Sequence, residues 1–224
     1  MITDLTKAKK YDCPVKFTIT GCEAGWVDID CNFNGEVLRF AVSHIGDLPM
    51  ALLEVAFLLH SIYDYNSGMF RYIRLDDETE GITDQDGHKW SAELGATFQW
   101  DEEPRLNKWH IYYEQKDFGK EDFDLIIKID RITDIHKKYK FVVSYRDFCY
   151  AVAKLFTDAL KKYGFWGYTR GSYSDYIVVK DLLIVKAYAL GLLQTKIWYE
   201  GDYPKRDYFE LPFEQELELL NFDM

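Results

Sequence analysis

No stretch of this chain is apolar for long enough to span a bilayer. The longest candidate, Leu182 to Leu193, is interrupted by Lys186, and the N-terminal MITDLTKAKKYD carries charge without the apolar centre of a secretory leader. The expected location is therefore cytoplasmic. Cysteine is scarce as well: Cys13, Cys22, Cys31 and Cys149 form no CxxC pair and have no close histidine, so neither a zinc site nor a thioredoxin-like motif is written. Four free thiols are expected, the first three spaced nine apart as small apolar residues of successive strands or turns. His60, His88, His110 and His136 lack metal-ligand spacing, and there is no Walker loop, GxGxxG, GxSxG or HExxH. The best-known enzyme classes gain no support from these absences, and no catalytic residue, metal or cofactor is expected.

What is present is a globular composition. With 224 residues, 48 % of them hydrophobic and 29 % charged, the chain can bury a substantial core, and one domain over 1–224 is expected. Aromatics reach 17 %, more than a core readily hides, because Tyr and Trp need partners for their polar tips. The net charge of −11 is unevenly placed: residues 76–103 carry −9, residues 200–224 carry −6, and the remainder nets +4. Two acidic segments argue against nucleic acid or an anionic membrane and point to a basic protein partner.

The pattern of apolar residues predicts an α+β fold, mostly antiparallel sheet packed against two to three amphipathic helices. Val15, Phe17 and Ile19 alternate with polar residues as in a half-buried strand. Asn34-Gly35 suits a type I′ turn that places Cys31 opposite Leu38, Ile29 opposite Phe40 and Val27 opposite Val42, all on one face. Asp47 can cap a helix with the stripe Leu48, Ala51, Leu52, Val55, Leu59 and Ile62. Strands are expected around Ile73–Leu75, Trp90–Leu94, Ala96–Trp100, Trp109–Tyr113 and Phe123–Ile129, with a short one at Phe141–Val143. From Ser144 to Gly164 the apolar residues Phe148, Val152, Leu155, Phe156, Ala159, Leu160 and Tyr163 mark a long helix, started by Ser144 with Asp147 and stopped by Gly164. A buried helix from about Asp181 to Gln194 and an extended Ile197–Tyr199 complete the sheet and helices by about residue 197. The acidic tail, 198–224, should end in a short docking helix with Phe213, Leu217 and Leu220 inward.

Several clusters resemble catalytic or metal chemistry, and each has a simpler reading. Ser43, His44 and Asp47 name a hydrolase triad, yet Asp47 serves as a helix cap and Ser43 ends a strand. ITDQDGHKWSAE matches Asp84, Asp86, Gly87 and Glu93 to calcium-loop positions, but Ile82 occupies the first ligand position, and a hairpin turn at Asp86-Gly87 explains the segment. The carboxylate pairs Glu102 with Glu103 and Asp28 with Asp30 have no feature of a glycosidase pair beyond proximity in sequence. Tyr163, Phe165, Trp166, Tyr168, Tyr173 and Tyr176 surround Arg170, a composition suited to an interface or a stacking surface, although packing beneath the long helix is the commoner role of aromatics that follow a helix end.

In GWVDIDCNFNGEVLRFAVSHIGDLP, FQWDEEPRLNKWHI and FCYAVAKLFTDALKKYGFWGY the chain resembles small bacterial cytoplasmic proteins found as immunity partners of polymorphic toxins, over roughly residues 15–168. The resemblance implies a non-catalytic protein-binding function, with an acidic inhibitor facing a basic toxin such as a nuclease domain. The expected contact residues are Asp76, Asp77, Glu78, Glu80, Asp84, Asp86, Asp101, Glu102 and Glu103, with Trp166, Tyr168, Arg170 and Tyr173. The alternative is a small-molecule or carbohydrate-binding protein, or an uncommon hydrolase, with its pocket at 163–176.

Overall fold

Two left-handed turns set the first sheet. Ala24-Gly25 (φ 53° and 83°) and Asn34-Gly35 (φ 53° and 97°) have the positive φ pairs of type I′ turns, whose twist matches that of the strands they join. They connect β1 (Val15–Glu23), β2 (Trp26–Phe33) and β3 (Glu36–Val42) in one antiparallel sheet of order β1-β2-β3. The Asn32 side-chain oxygen accepts from the Gly35 amide at 2.8 Å and fixes the second turn. Cys31 pairs with Leu38, Ile29 with Phe40 and Val27 with Val42, and all six are buried, in the register that the turn chemistry predicts.

The computed structural model describes residues 4–43, 48–60, 81–83, 89–91, 93–101, 106–114, 122–132, 137–172, 177, 179–193, 196–200, 203–207 and 212–224. A second antiparallel sheet has order β6-β7-β8-β9, formed by Glu93–Asp101, Leu106–Glu114, Asp124–Ile132 and Lys137–Ser144. Two hairpins accompany the sheets: β4 (Gly81–Thr83) with β5 (Lys89–Ser91), and β10 (Lys196–Glu200) with β11 (Tyr203–Asp207). The strand β9 is longer than Phe141–Val143 because Lys137 to Lys140 continue it as a polar edge, where lysines discourage further pairing. Thr83 pairs with Lys89 in an antiparallel hairpin, while Asp84, Asp86 and Gly87 of the calcium-like segment lie outside the described residues. The strand expected around Ile73–Leu75 lies outside the described residues, as does the Asp47 cap.

The fold is thus α+β, with helices α1 (Leu48–His60), α2 (Tyr145–Ser172), α3 (Val179–Ala189) and α4 (Phe213–Asn221). Ser144 caps α2, its Oγ accepting from the Asp147 amide at 3.0 Å, while Asp122 accepts from the Arg146 amide at 3.1 Å. Gly164 was expected to end this helix. It adopts φ 68° and ψ 170°, a conformation that a side chain would strain, and produces a kink after which the helix resumes to Ser172. The aromatics Phe165, Trp166 and Tyr168 therefore lie on a helical segment that runs as far as Ser172. By contrast α3 stops earlier than Gln194, since Gly191 at φ 70° allows Leu192 and Leu193 to donate to the Ala187 carbonyl.

One buried cluster joins both sheets and all four of these helices. Its sheet-to-sheet contact is Phe33 of β2, whose ring stacks on Phe141 at 4.3 Å and lies 6.1 Å from Trp109. α2 runs along β1, with Phe148 edge-on to Phe17 at 5.9 Å, packs against α3 and α1, and also touches β2 and β9. Tyr145 stacks on Phe123 and donates its hydroxyl to the Ala56 carbonyl, which ties the start of α2 to α1. Replacing Ile29 by Ala should lower the unfolding free energy by about 2–4 kcal/mol. Val37→Ala on the exposed side of the same sheet should change it by less than about 0.5 kcal/mol, and equal losses in urea denaturation would contradict this inside-outside assignment.

Candidate partner-binding surface

The expected contact residues divide sharply. Asp76, Asp77, Glu78, Glu80, Asp84, Asp86, Glu102, Glu103 and Tyr173 lie outside the described residues, and Asp101 ends β6. Trp166 and Arg170 belong to the part of α2 after the kink. Tyr168, in the same part, is fully buried with its ring 6.0 Å from Phe156, so it is a core residue and is corrected as a surface contact. The reason is the resumed helix. A turn beyond Gly164 brings Tyr168 back onto the apolar side of α2, whereas Phe165 remains 43 % exposed.

The acidic tail contains the best-defined surface. α4 buries Leu219 but leaves Phe213 and Leu217 exposed at 66 % and 41 %, the reverse of the inward face expected for them. Exposed Glu214, Glu218 and Asn221 complete the outward side. Sequence periodicity missed this because α4 has apolar residues on two sides, and the pair Phe213 and Leu217 competes with Leu219, Leu220 and Phe222 for the core. Contacts beyond the helix decide it in favour of the second set.

Those contacts are cationic. Lys186 of α3 is almost wholly buried, and its ammonium donates to Thr157 Oγ1 at 3.1 Å, the Leu220 carbonyl at 3.1 Å and the Phe222 carbonyl at 2.7 Å. Three donors thus meet three acceptors. Lys10 lies 4.7 Å from the centre of the Phe222 ring, Lys154 donates to the Met224 carbonyl at 3.3 Å, and Lys161 pairs with Asp223 at 2.7 Å. Together they hold the carbonyls that follow α4, where the helix dipole is negative and favours cations. This fixes the orientation of the exposed side.

Glu214, Glu216 and Glu218 make no ion pair, as is also true of Glu23, Asp28, Glu36, Glu54 and Asp124 among the described residues. Among the described residues Asp4, Asp12, Asp30, Asp130, Asp158 and Asp223 each pair with Lys or Arg, while these three glutamates do not. The dipole at the start of α4 accounts for Glu214 and Glu216. It gives Glu218, toward the other end, no such benefit.

The titratable groups of the core have a different character. Burial, with Asp147 adding to it, raises Cys13 to about 11, and burial raises Cys31 and Cys149 further, so these thiols are protonated at neutral pH. All four cysteines are free. Burial and the neighbouring Lys128 and Lys108 lower His110 to about 4, which leaves it neutral near pH 7. Ser43 of the triad-like cluster is buried and its Oγ has no hydrogen-bond partner. Among the described residues no group of three or more His, Cys, Asp or Glu is arranged to hold a metal, and no helix is long and apolar enough to cross a membrane.

Comparison with family models, curated proteins and solved structures returns no match.

The cationic clamp has a measurable pH signature. Burial lowers Lys186 from 10.5 to about 8, with Lys161 and Lys10 acting in the same direction and Asp223 and Asp158 opposing them. The folded chain pays the cost of a buried charge below pH 8; between about 8 and 10.5 it has shed that proton while the unfolded chain still holds it. Wild-type stability should therefore rise relative to Lys186→Met across this window, by at most about 3 kcal/mol. Urea denaturation of both proteins at stepped pH measures the difference, and parallel pH profiles would show that Lys186 is not depressed.

Proposed function

We propose that the chain is a non-catalytic protein-binding module, an acidic immunity-type protein that neutralises a bacterial toxin by direct contact in the cytoplasm. The observation that carries this reading is uncompensated acidity. Segments 76–103 and 200–224 hold an excess of acids over a net-positive remainder, and Glu214, Glu216 and Glu218 have no internal counter-ion. Unpaired like charges repel one another in the free protein, and a partner of opposite charge removes that cost. A nuclease domain suits the role, since a surface made to hold phosphates is basic. Free, protonated thiols accord with a reducing compartment.

Such acids act mainly on association. Their field steers a basic partner over a range screened at about 8 Å in physiological salt, whereas apolar contacts govern how long the complex lasts. The partner is to be recovered by co-purification with the whole chain from its native cells. Exchange of Asp76, Asp77, Glu78, Glu80, Asp84 and Asp86 for Asn and Gln should then slow association by about tenfold or more at low salt, and much less at high salt. An acidic partner, or an association rate indifferent to both the six exchanges and salt, would overturn the reading.

A further inference from the structure

A steering field needs an apolar anchor if the complex is to persist, and the described surface offers one beside unpaired acids. Phe213 and Leu217 are one helical turn apart on α4 and share its outward side with Glu214 and Glu218. The other large exposed apolar residues, such as Val37 on β3 and Val142 on β9, lie on elements away from this pair. We propose that the outer face of α4 is the anchor of a protein contact, with Phe213 and Leu217 entering an apolar cleft of a basic partner whose cationic rim meets Glu214 and Glu218. This rests on the reading of the chain as a binder of a basic protein and names the surface that gives the complex its lifetime.

Three features select that occupant. The amphipathic helix is presented as a rigid edge: Leu219 is fully buried beneath it, and Lys186 grips the Leu220 and Phe222 carbonyls. Preorganisation of this kind lowers the ordering cost of helix-in-groove recognition. The charge then discriminates among partners. A second copy of a chain of net charge −11, docked face to face here, would bring Glu214 and Glu218 against their own kind, and phosphates of nucleic acid or anionic lipid would meet the same repulsion. A basic protein loses nothing by the approach. Finally, Glu218 is exposed and gains nothing from the dipole of its own helix, so a cation brought to this face would stabilise its charge without displacing an internal contact.

The probe is the whole chain with p-benzoylphenylalanine in place of Phe213, irradiated in its native cells, beside a control with the same group in place of Val142. The expected result is a cross-link from 213, and not from 142, to a protein that mass spectrometry identifies as basic. That protein, purified, should bind Phe213→Ser/Leu217→Ser with a Kd at least about thirtyfold weaker than wild type, chiefly through faster dissociation. Glu214→Lys/Glu218→Lys should slow its association. Because these side chains are exposed, both variants should keep the wild-type unfolding midpoint, which is measured alongside. A basic partner that binds the Ser variant within twofold of wild type would overturn the anchor and leave the basic-partner reading standing. A cross-link from 213 to a second copy or to an acidic protein would overturn the anchor as stated, and an acidic partner would remove the broader reading too. Absence of any cross-link from 213 while the co-purified basic protein binds would also overturn it.

Discussion

The stacking of Phe33 on Phe141 is the contact through which the two sheets become one core. Each sheet alone has an apolar face it cannot satisfy, and a two-residue turn or a hydrogen-bonded ladder does nothing to cover it. Phe33 meets Phe141 and Trp109 on one side and Phe17 on the other, so the first sheet, the second sheet and the face against α2 share one aromatic seam. Phe40 extends the seam to Trp109, and the Arg131 guanidinium caps the Phe40 ring at 4.8 Å. Much of the aromatic excess is thereby accounted for within the core. Large rings supply much of the area that joins the two sheets.

The tail depends on the opposite kind of contact. A buried ammonium is costly, and Lys186 is tolerated because Thr157 and two backbone carbonyls replace its water. What it secures is the end of α4. Leu219 provides burial, but one leucine on a nine-residue helix would leave its rotation weakly determined; fixed carbonyls determine it. The apolar interior of α3 is therefore interrupted by a lysine for a structural reason, since that residue orients the acidic helix.

Legibility in the sequence followed the range of the forces involved. The β2–β3 hairpin was readable to its register because Asn34-Gly35 and the alternation of Val27, Ile29 and Cys31 act within a few residues. Ser144 as the cap of α2 was readable for the same reason. Gly164 was recognised as a special backbone position, yet whether the helix ends or kinks there depends on what Tyr168 can reach, and Phe156 is supplied by tertiary packing. The inward side of α4 was misread on the same ground: local periodicity offered two apolar faces, and a lysine distant in sequence chose between them. Of the expected contact surface, the charge imbalance was legible directly from composition. The exposure of Phe213 and Leu217 was not, since exposure is a property of the assembled chain.

The placement of charge follows from how the tail docks. Lys10, Lys154, Lys161 and Lys186 gather on the inner side of residues 220–224, drawn from the part of the chain that is net positive. They engage carbonyls, an aromatic face and a single aspartate, and so take up little of the acidity of the tail. Glu214 and Glu218 point elsewhere because a helix cannot turn both Leu219 and Glu218 inward when they are neighbours about 100° apart, while Glu216 is half-buried. Docking thus converts a basic helix surface into an acidic one, and the negative charge left over is displayed rather than neutralised. Exposed ion pairs contribute at most about 1 kcal/mol each, so the fold loses little by leaving these glutamates in water.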